Sequence, residues 1–252
     1  MSHHIVEVRG LGFTYADGTE ALKDVSFRVT HGGAVGILGA NGAGKSTLLL
    51  HLNGSLAPTR GEVRIGDAPL TRATLAAARR AVGMVFQDPD DQLFMPTVFE
   101  DVAFGPLNRG LPADEVRRLV AMALARVGMT HVQDRPPYRL SAGEKRAVAI
   151  ATVLAMSPDI LVMDEPSSNL DPRGRRRLIE LLRSFEHTKI IATHDLELVV
   201  EVCPRVIVLD GGAVVAEGPA EQVLADEPLM LAHGLETPHI LRHRHPHAAS
   251  GA

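Results

Sequence analysis

The stretch Gly39-Ala40-Asn41-Gly42-Ala43-Gly44-Lys45-Ser46 constrains this chain more than any other. It follows a short apolar run, residues 34–38, and precedes a segment of helical character from Lys45 to about Leu52. An apolar run of that kind is what a strand buried on both faces of a parallel sheet needs. The glycines let the loop wrap a phosphate with no side chain in the way, so backbone N–H groups point inward. The N-terminus of the following helix adds about half a positive charge at the same spot. In this pattern Lys45 reaches the β- and γ-phosphates of a nucleotide, the Ser46 hydroxyl ligates Mg2+, and Thr47 completes the binding stretch. A glycine-rich turn with no ligand is the plainer alternative, and the strand–loop–helix context argues against it. Nucleotide binding is the expectation.

An acidic pair follows a second apolar strand candidate. Residues 160–163 are apolar throughout, and Asp164 and Glu165 emerge at the C-terminal end, where parallel sheets place ligand chemistry. Asp164 would hold Mg2+ through water, and Glu165 would polarise the water that attacks the γ-phosphate. Two acids after a strand are, taken alone, most often a solvated strand end. The phosphate loop upstream favours the metal and base roles.

Further strand candidates are 5–13, 21–29, 82–86, 189–193 and 205–209, and helix-like segments separate most of them. That alternation predicts an α/β architecture with a largely parallel sheet. The middle differs: from about Asp88 to Met156 only helices and loops are expected. Its clearest helix follows Pro112, with Asp114 and Glu115 in the first turn and Gly128 as the stop. Val116, Leu119, Val120, Ala123 and Val127 form one apolar stripe along it.

Composition narrows the class. A net charge of -4 argues against non-specific nucleic-acid binding, which wants a strong positive field. With 45% hydrophobic residues, most of the chain is expected to fold rather than stay disordered. The single cysteine, Cys203, cannot form an internal disulfide and fits a reducing compartment. No apolar run approaches the about 20 residues of a membrane span, and MSHHIVEVRG has no apolar signal core. A cytoplasmic location is expected.

Further motifs, in a shared order, resemble those of the ATPase cassettes of ABC transporters, over residues 5 to about 225. Gln87 resembles the Q-loop glutamine that touches Mg2+ and joins core to helical subdomain. Leu140-Ser141-Ala142-Gly143-Glu144 resembles the signature motif, and Ser168-Asn169-Leu170-Asp171 is similar to the D-loop. His194 matches the switch histidine that contacts the γ-phosphate, and Tyr15 the aromatic residue that stacks on adenine. Alone, a glutamine or histidine after a strand is usually structural or solvated, and Tyr15 would be a strand-edge residue on a turn. The shared order carries the resemblance.

The resemblance implies an α/β P-loop NTPase core, with a mixed, mainly parallel sheet, N-terminal antiparallel strands and an inserted all-helical subdomain. The ATP-binding domain spans 5–232, as core 5–87 and 157–232 with helical subdomain 88–156, and a His-rich tail runs from 233 to 252. It implies ATP hydrolysis at a dimer interface, with Mg2+ held by Ser46, Gln87 and Asp164. Ser141, Gly143 and Asp171 join the nucleotide contacts, the signature of one subunit covering ATP on the loop of the other. With both the phosphate loop and the signature motif present, a homodimer is the simpler expectation. In this reading Glu165, His194 and Lys45 are catalytic. One departure stands out: Ala142 and Glu144 replace a glycine and a glutamine, and alanine does not tolerate positive φ as glycine does. The Ser141 hydroxyl and the N–H groups opening the helix from Gly143 remain, so γ-phosphate binding is expected to persist, in weaker form.

Residues 86–106 (FQDPDDQLFMPTVFEDVAFGP) resemble the same region of energy-coupling-factor and cobalt/nickel importer ATPases. Leu93, Phe94, Met95, Phe99 and Phe104 crowd large apolar side chains there. Some pack the helical part; Leu93, Phe94, Met95 and Phe99 are expected to expose a groove for a short helix of a membrane subunit. That places the protein peripherally on the cytoplasmic face of the membrane. The tail holds His233, His239, His243, His245 and His247. Imidazoles bind Ni2+ and Co2+, yet within residues 239–247 no acids or cysteines complete a geometry, so a solvated tail is the expectation. The arginines Arg173, Arg175, Arg176 and Arg177 read as a solvated helix face rather than a nucleic-acid contact. Importers of vitamins, amino acids or lipoproteins are the alternatives. A GTPase would need an Asn-Lys-x-Asp guanine reader, a chromosome ATPase a long coiled coil, and a ribosome-associated cassette a second phosphate loop; the chain has none of these.

Overall fold

The computed structural model describes residues 6–238 and 241. Its strands are β1 (Val6–Thr14), β2 (Glu20–Val29), β3 (Ala34–Leu38), β4 (Arg60–Ile65), β5 (Ala68–Pro69), β6 (Val82–Val85), β7 (Ile160–Asp164), β8 (Thr188–Ala192), β9 (Arg205–Asp210) and β10 (Ala213–Pro219). Its α-helices are α1 (Lys45–Leu52), α2 (Leu75–Ala81), α3 (Val98–Asn108), α4 (Ala113–Val127), α5 (Ala142–Leu154), α6 (Pro172–Ser184), α7 (Leu196–Val202), α8 (Ala220–Ala225) and α9 (Glu227–Ala232).

Two sheets result. The N-terminal one is antiparallel, in the order β2-β1-β4-β5. The larger runs β10-β9-β3-β8-β7-β6, parallel except for β10 on its edge. Period-two alternation explains how the larger sheet is covered on both sides. Ile160, Val162, Ile190, Ala192, Ile207 and Leu209 face a core shared with β1, β2 and α1. Their neighbours Leu161, Met163, Ile191, Val206 and Val208 face a second core built with α3–α7. Both faces are buried, so the strands read as unbroken apolar runs.

The expected strands are present with small shifts at their ends; Ile5 lies outside the described residues. Sequence reasoning missed β4, β5 and β10. In β4 the outward positions Arg60, Glu62 and Arg64 mask the buried Val63 and Ile65. β10 is half-exposed on its edge and ends in Pro219, as edge strands tolerate.

Between β6 and β7 the described residues form helices and no strand. In α4, Val116, Val120, Ala123 and Val127 are buried, Leu119 is half-buried, and Leu124 joins them. Gly128 ends the helix in the left-handed region at φ 72, a conformation cheap only for glycine. Among the described residues, no helix is long and apolar enough to cross a membrane.

Candidate functional site

Because β3, β8, β7 and β6 run parallel, their C-terminal ends meet along one edge, and a cleft of about 600 Å3 opens there. Asn41, Gly42 and Gly44 of the loop, Lys45, Ser46 and Thr47 of α1, Gln87, Asp164, Glu165 and Tyr15 all line it. The loop is folded tightly. A Cβ at Gly39 would strike the Leu209 carbonyl, and one at Gly44 would lie 2.7 Å from the Ala21 carbonyl. Ala43 donates its N–H to Ala40 at 3.1 Å and accepts from Gly212 N at 3.2 Å, tying the loop to the β9–β10 turn. Lys45 Nζ donates to the carbonyls of Gly39 at 2.7 Å and Ala40 at 3.1 Å.

At the cleft mouth the Tyr15 hydroxyl lies 2.9 Å from Thr47 Oγ1. Its ring meets Phe13 edge-on at 4.8 Å, and Phe13 in turn meets His51 at 4.7 Å. His51 is fully buried, with Nδ1 2.7 Å from the Thr47 carbonyl. Burial pushes the His51 imidazole below the ordinary histidine range.

At the end of β7, Glu165 holds a left-handed backbone, φ 47, which is uncommon for a residue with a side chain. Its Oε2 accepts from the Thr193 hydroxyl at 3.0 Å and from the His194 N–H at 3.2 Å. His194 Nδ1 lies 2.8 Å from the same oxygen. Burial pushes the neighbouring Asp164 carboxyl above its usual range, and the Ser46 hydroxyl bonded to it pulls the other way. Asp164 Oδ1 is buried without a partner. An orphaned carboxylate oxygen beside the hydroxyl of Ser46 and the amide of Gln87 makes a hard-oxygen donor set that fits Mg2+.

Ser141, Gly143 and Asp171 lie elsewhere. They line a separate cavity of about 890 Å3 between α4, α5 and α6. The Ser141 hydroxyl accepts from Glu144 N at 3.3 Å and Glu144 Oε2 accepts from Ser141 N at 2.8 Å, a reciprocal cap on α5. Glu144 can thus fill the place of a glutamine. Ala142 is the first helical residue and does not have the positive φ that would call for glycine, so no backbone strain arises there. Gly143 still matters, since a Cβ would come within 3.1 Å of the Asn169 carbonyl. The Asp171 carboxylate caps α6 by accepting from Gly174 N at 2.7 Å.

Two surface readings need correction. Leu93 is a core residue, 7% exposed, and offers no surface to a groove. Phe94 is exposed and packs edge-on against Phe104 at 5.0 Å, with Leu107 exposed nearby in sequence. Met95 and Phe99 are half-buried, and Phe99 packs on the core. Asp101 fixes this stretch: its Oδ1 accepts from Phe94 N and Met95 N, each at 3.0 Å. The α6 arginines are not uniformly solvated either. Arg175 forms a two-pronged ion pair with Asp195 at 2.7 and 2.8 Å, and Arg177 donates to the Val127 carbonyl at 3.1 Å.

Sequence reasoning missed Thr193, whose signal was its place beside His194 at a strand end. It also missed Thr19, Gly211 and Gly212, which line the cleft from turns, and Lys23, which lines it from β2, none of them in a motif. His233 Nδ1 lies 2.8 Å from Asp210 Oδ2. His239, His243, His245 and His247 lie outside the described residues. Among the described residues no cluster of three His, Cys, Asp or Glu could hold a metal.

The ABC transporter family profile matches residues 22–168. A candidate ABC transporter ATP-binding protein of Geobacter sulfurreducens is 65% identical over 94% of this chain and 96% of its own. The energy-coupling factor transporter ATP-binding protein EcfA of Methanocaldococcus jannaschii is 47% identical over 94% of this chain and 87% of its own. Among solved structures, cbiO1 of Clostridium perfringens, part of the ABC transporter complex cbiONQ, superposes with a TM-score of 0.79 at 40% identity, covering 95% of this chain and 98% of that one. An ATP-binding cassette in a dimeric, post-hydrolysis state with ADP and Pi matches with a TM-score of 0.79 at 30% identity, over 85% of this chain and 98% of that one. The chain belongs to the ABC transporter ATP-binding cassettes, the family that hydrolyses ATP to drive transport.

Proposed function

We propose that this protein is the ATP-hydrolysing subunit of an energy-coupling-factor type importer, moving cobalt or nickel ions and working as a dimer on the cytoplasmic face of its membrane subunits. The observation that carries the ATPase part is Glu165, held at the mouth of the phosphate loop by Thr193 and His194. Two similarities support the importer part: EcfA over most of both chains, and the cbiO1 structure. The metal rests on the resemblance of residues 86–106, and a vitamin importer or another ABC importer is the alternative.

In this reading Tyr15 stacks on adenine, and the N–H groups of the loop from Gly39 to Gly44 surround the phosphates. Lys45 leaves the loop carbonyls to pair with the β- and γ-phosphates, and Thr47 anchors both Tyr15 and the loop end. Ser46, Gln87 and Asp164 would hold Mg2+, which when bound neutralises charge developing on the phosphates. Glu165 takes a proton from the attacking water, and His194 contacts the γ-phosphate. Ser141 and Gly143 open α5, and with Asp171 they serve the nucleotide of a second copy; their distance from this chain's own cleft is what such sharing requires. A core of 5–87 and 157–232 with helical subdomain 88–156 belongs to the same proposal.

Reconstitution with candidate membrane subunits in vesicles tests it. ATP-dependent uptake of Co2+ or Ni2+, abolished by Glu165→Gln, is the expected result. Uptake of a vitamin instead, with neither ion moved, would overturn the substrate and keep the ATPase.

A further inference from the structure

Arg146 heads the largest fully buried side chains, at 1% exposure. It lies on the inward stripe of α5 with Ala149, Ile150 and Val153, where an apolar residue would ordinarily pack. Its fork instead ends on two consecutive main-chain carbonyls. Nη1 donates to Phe86 at 2.7 Å, Nη2 donates to Gln87, and Nε has no partner. Burial pushes the guanidinium below its ordinary value, while the carboxylates of Asp164, Asp88 and Glu165 push the other way. A buried charge that lacks a paired partner is costly and weak as a source of stability. Its placement calls for a different explanation.

Other contacts hold the same segment to α5. Lys145 pairs with Asp90 at 2.6 Å, and Gln92 Nε2 donates to the Ala149 carbonyl at 2.8 Å and to Thr152 at 2.7 Å. Lys145 fixes residue 90, and Gln92, whose Oε1 also accepts from Phe86 N at 3.1 Å, ties residue 86 to the helix as well. Arg146 is the one that grips residue 87 itself. It does so within the second turn of the helix that Ser141 caps, and over so short a span a helix moves as one body.

We infer that Arg146 is a positioning residue for ATP hydrolysis: by holding the carbonyls of Phe86 and Gln87 it sets the Gln87 side chain in the cleft and ties it to the Ser141 end of α5. The inference rests on the reading of Gln87 as a site residue. A displacement at Ser141 is then carried to Gln87 without any change in the loop between them.

The test is steady-state ATPase kinetics on the full chain with Arg146→Met, Arg146→Lys, Gln87→Ala and the Arg146→Met/Gln87→Ala pair. Misplacement of a site group predicts a kcat loss of about ten- to a hundredfold in Arg146→Met, with KM within about twofold. Arg146→Lys, a single ammonium facing two carbonyls, should fall between. The double variant should be no slower than Gln87→Ala. Parental kcat in Arg146→Met or in Gln87→Ala overturns the inference, as does a double variant whose loss is the product of the single losses. If Arg146→Met does not fold, Arg146→Lys decides, and parental kcat there overturns the inference. Glu165→Gln measured alongside separates the two readings. Full turnover in that variant sinks the site assignment itself, whereas turnover lost there and kept in Arg146→Met sinks only the role of Arg146.

Discussion

His194 Nδ1 and Thr193 Oγ1 converge on one oxygen of Glu165, at 2.8 and 3.0 Å. The carboxylate is therefore held in one orientation by the segment that follows β8, although it stands at the end of β7. Orientation and chemistry can be separated by mutation. Glu165→Gln keeps the acceptor and loses the base, so multiple-turnover hydrolysis should fall by about 10²-fold or more while ATP still binds. Phosphate release and a nucleotide-binding titration check this, and gel filtration should show ATP holding the variant as a dimer. Thr193→Val should cost turnover but less of it.

Tyr15 offers a ring, and its hydroxyl serves Thr47. Base stacking on an aromatic ring is worth about 1–3 kcal/mol, so Tyr15→Ala should weaken ATP binding by roughly ten- to a hundredfold. Tyr15→Phe keeps the ring and should bind nearly as well. Equal ATP affinity in Tyr15→Ala would remove the ring from the site.

The exposed pair Phe94 and Phe104 gives a third prediction. A charge at position 94 forfeits apolar burial worth about 1.5–3 kcal/mol, so Phe94→Asp should weaken assembly with a membrane subunit tenfold or more. ATP binding by the free subunit should survive. Leu93→Ala is the contrasting variant: it opens a cavity in the core and should lower stability by about 2–5 kcal/mol. Co-purification and denaturant unfolding distinguish the two.

His51 should make stability depend on acid pH. The folded state favours the neutral ring, while the unfolded chain takes up a proton near the ordinary value of about 6.5. The unfolded state thus binds more protons, so this contribution is complete above that value and is lost as pH falls below it. Thermal midpoints of the parent and His51→Gln should converge between about pH 7.5 and about pH 5.5. A gap that stays constant would show that His51 does not carry the effect.

Much of the site was legible because each part is local: a strand, a loop and a helix start in one stretch, or acids at the end of an apolar run. Asp164, Glu165 and the 39–46 loop needed nothing more. What escaped is what depends on distant pairing. β4 reads as polar because its outward face carries Arg60, Glu62 and Arg64, and only the antiparallel match with β1 reveals the buried side. The burial of Leu93 beside the exposure of Phe94 is set by Asp101, whose carboxylate turns the chain from several residues away. Arg146 had a sequence signal, a charge on an apolar helical stripe. What it holds became visible only in three dimensions.

The larger sheet has a consequence for how the protein is made. The strand that leads into the phosphate loop, β3, pairs Ala34 with Lys189 and Val35 with Arg205. On a ribosome, those partners emerge long after β3 has left the exit tunnel. The first strand of the site can pack Val35 and Ile37 against β1, β2 and α1, but its other face and both of its edges must wait through the synthesis of the whole helical region. Long-range parallel pairing of this kind is slow to form. The chain is thus most exposed to aggregation or chaperone capture during the interval in which it already carries the Gly39–Ser46 motif, and a release point before residue 205 yields a nascent chain with that motif but no ordered cradle for ATP.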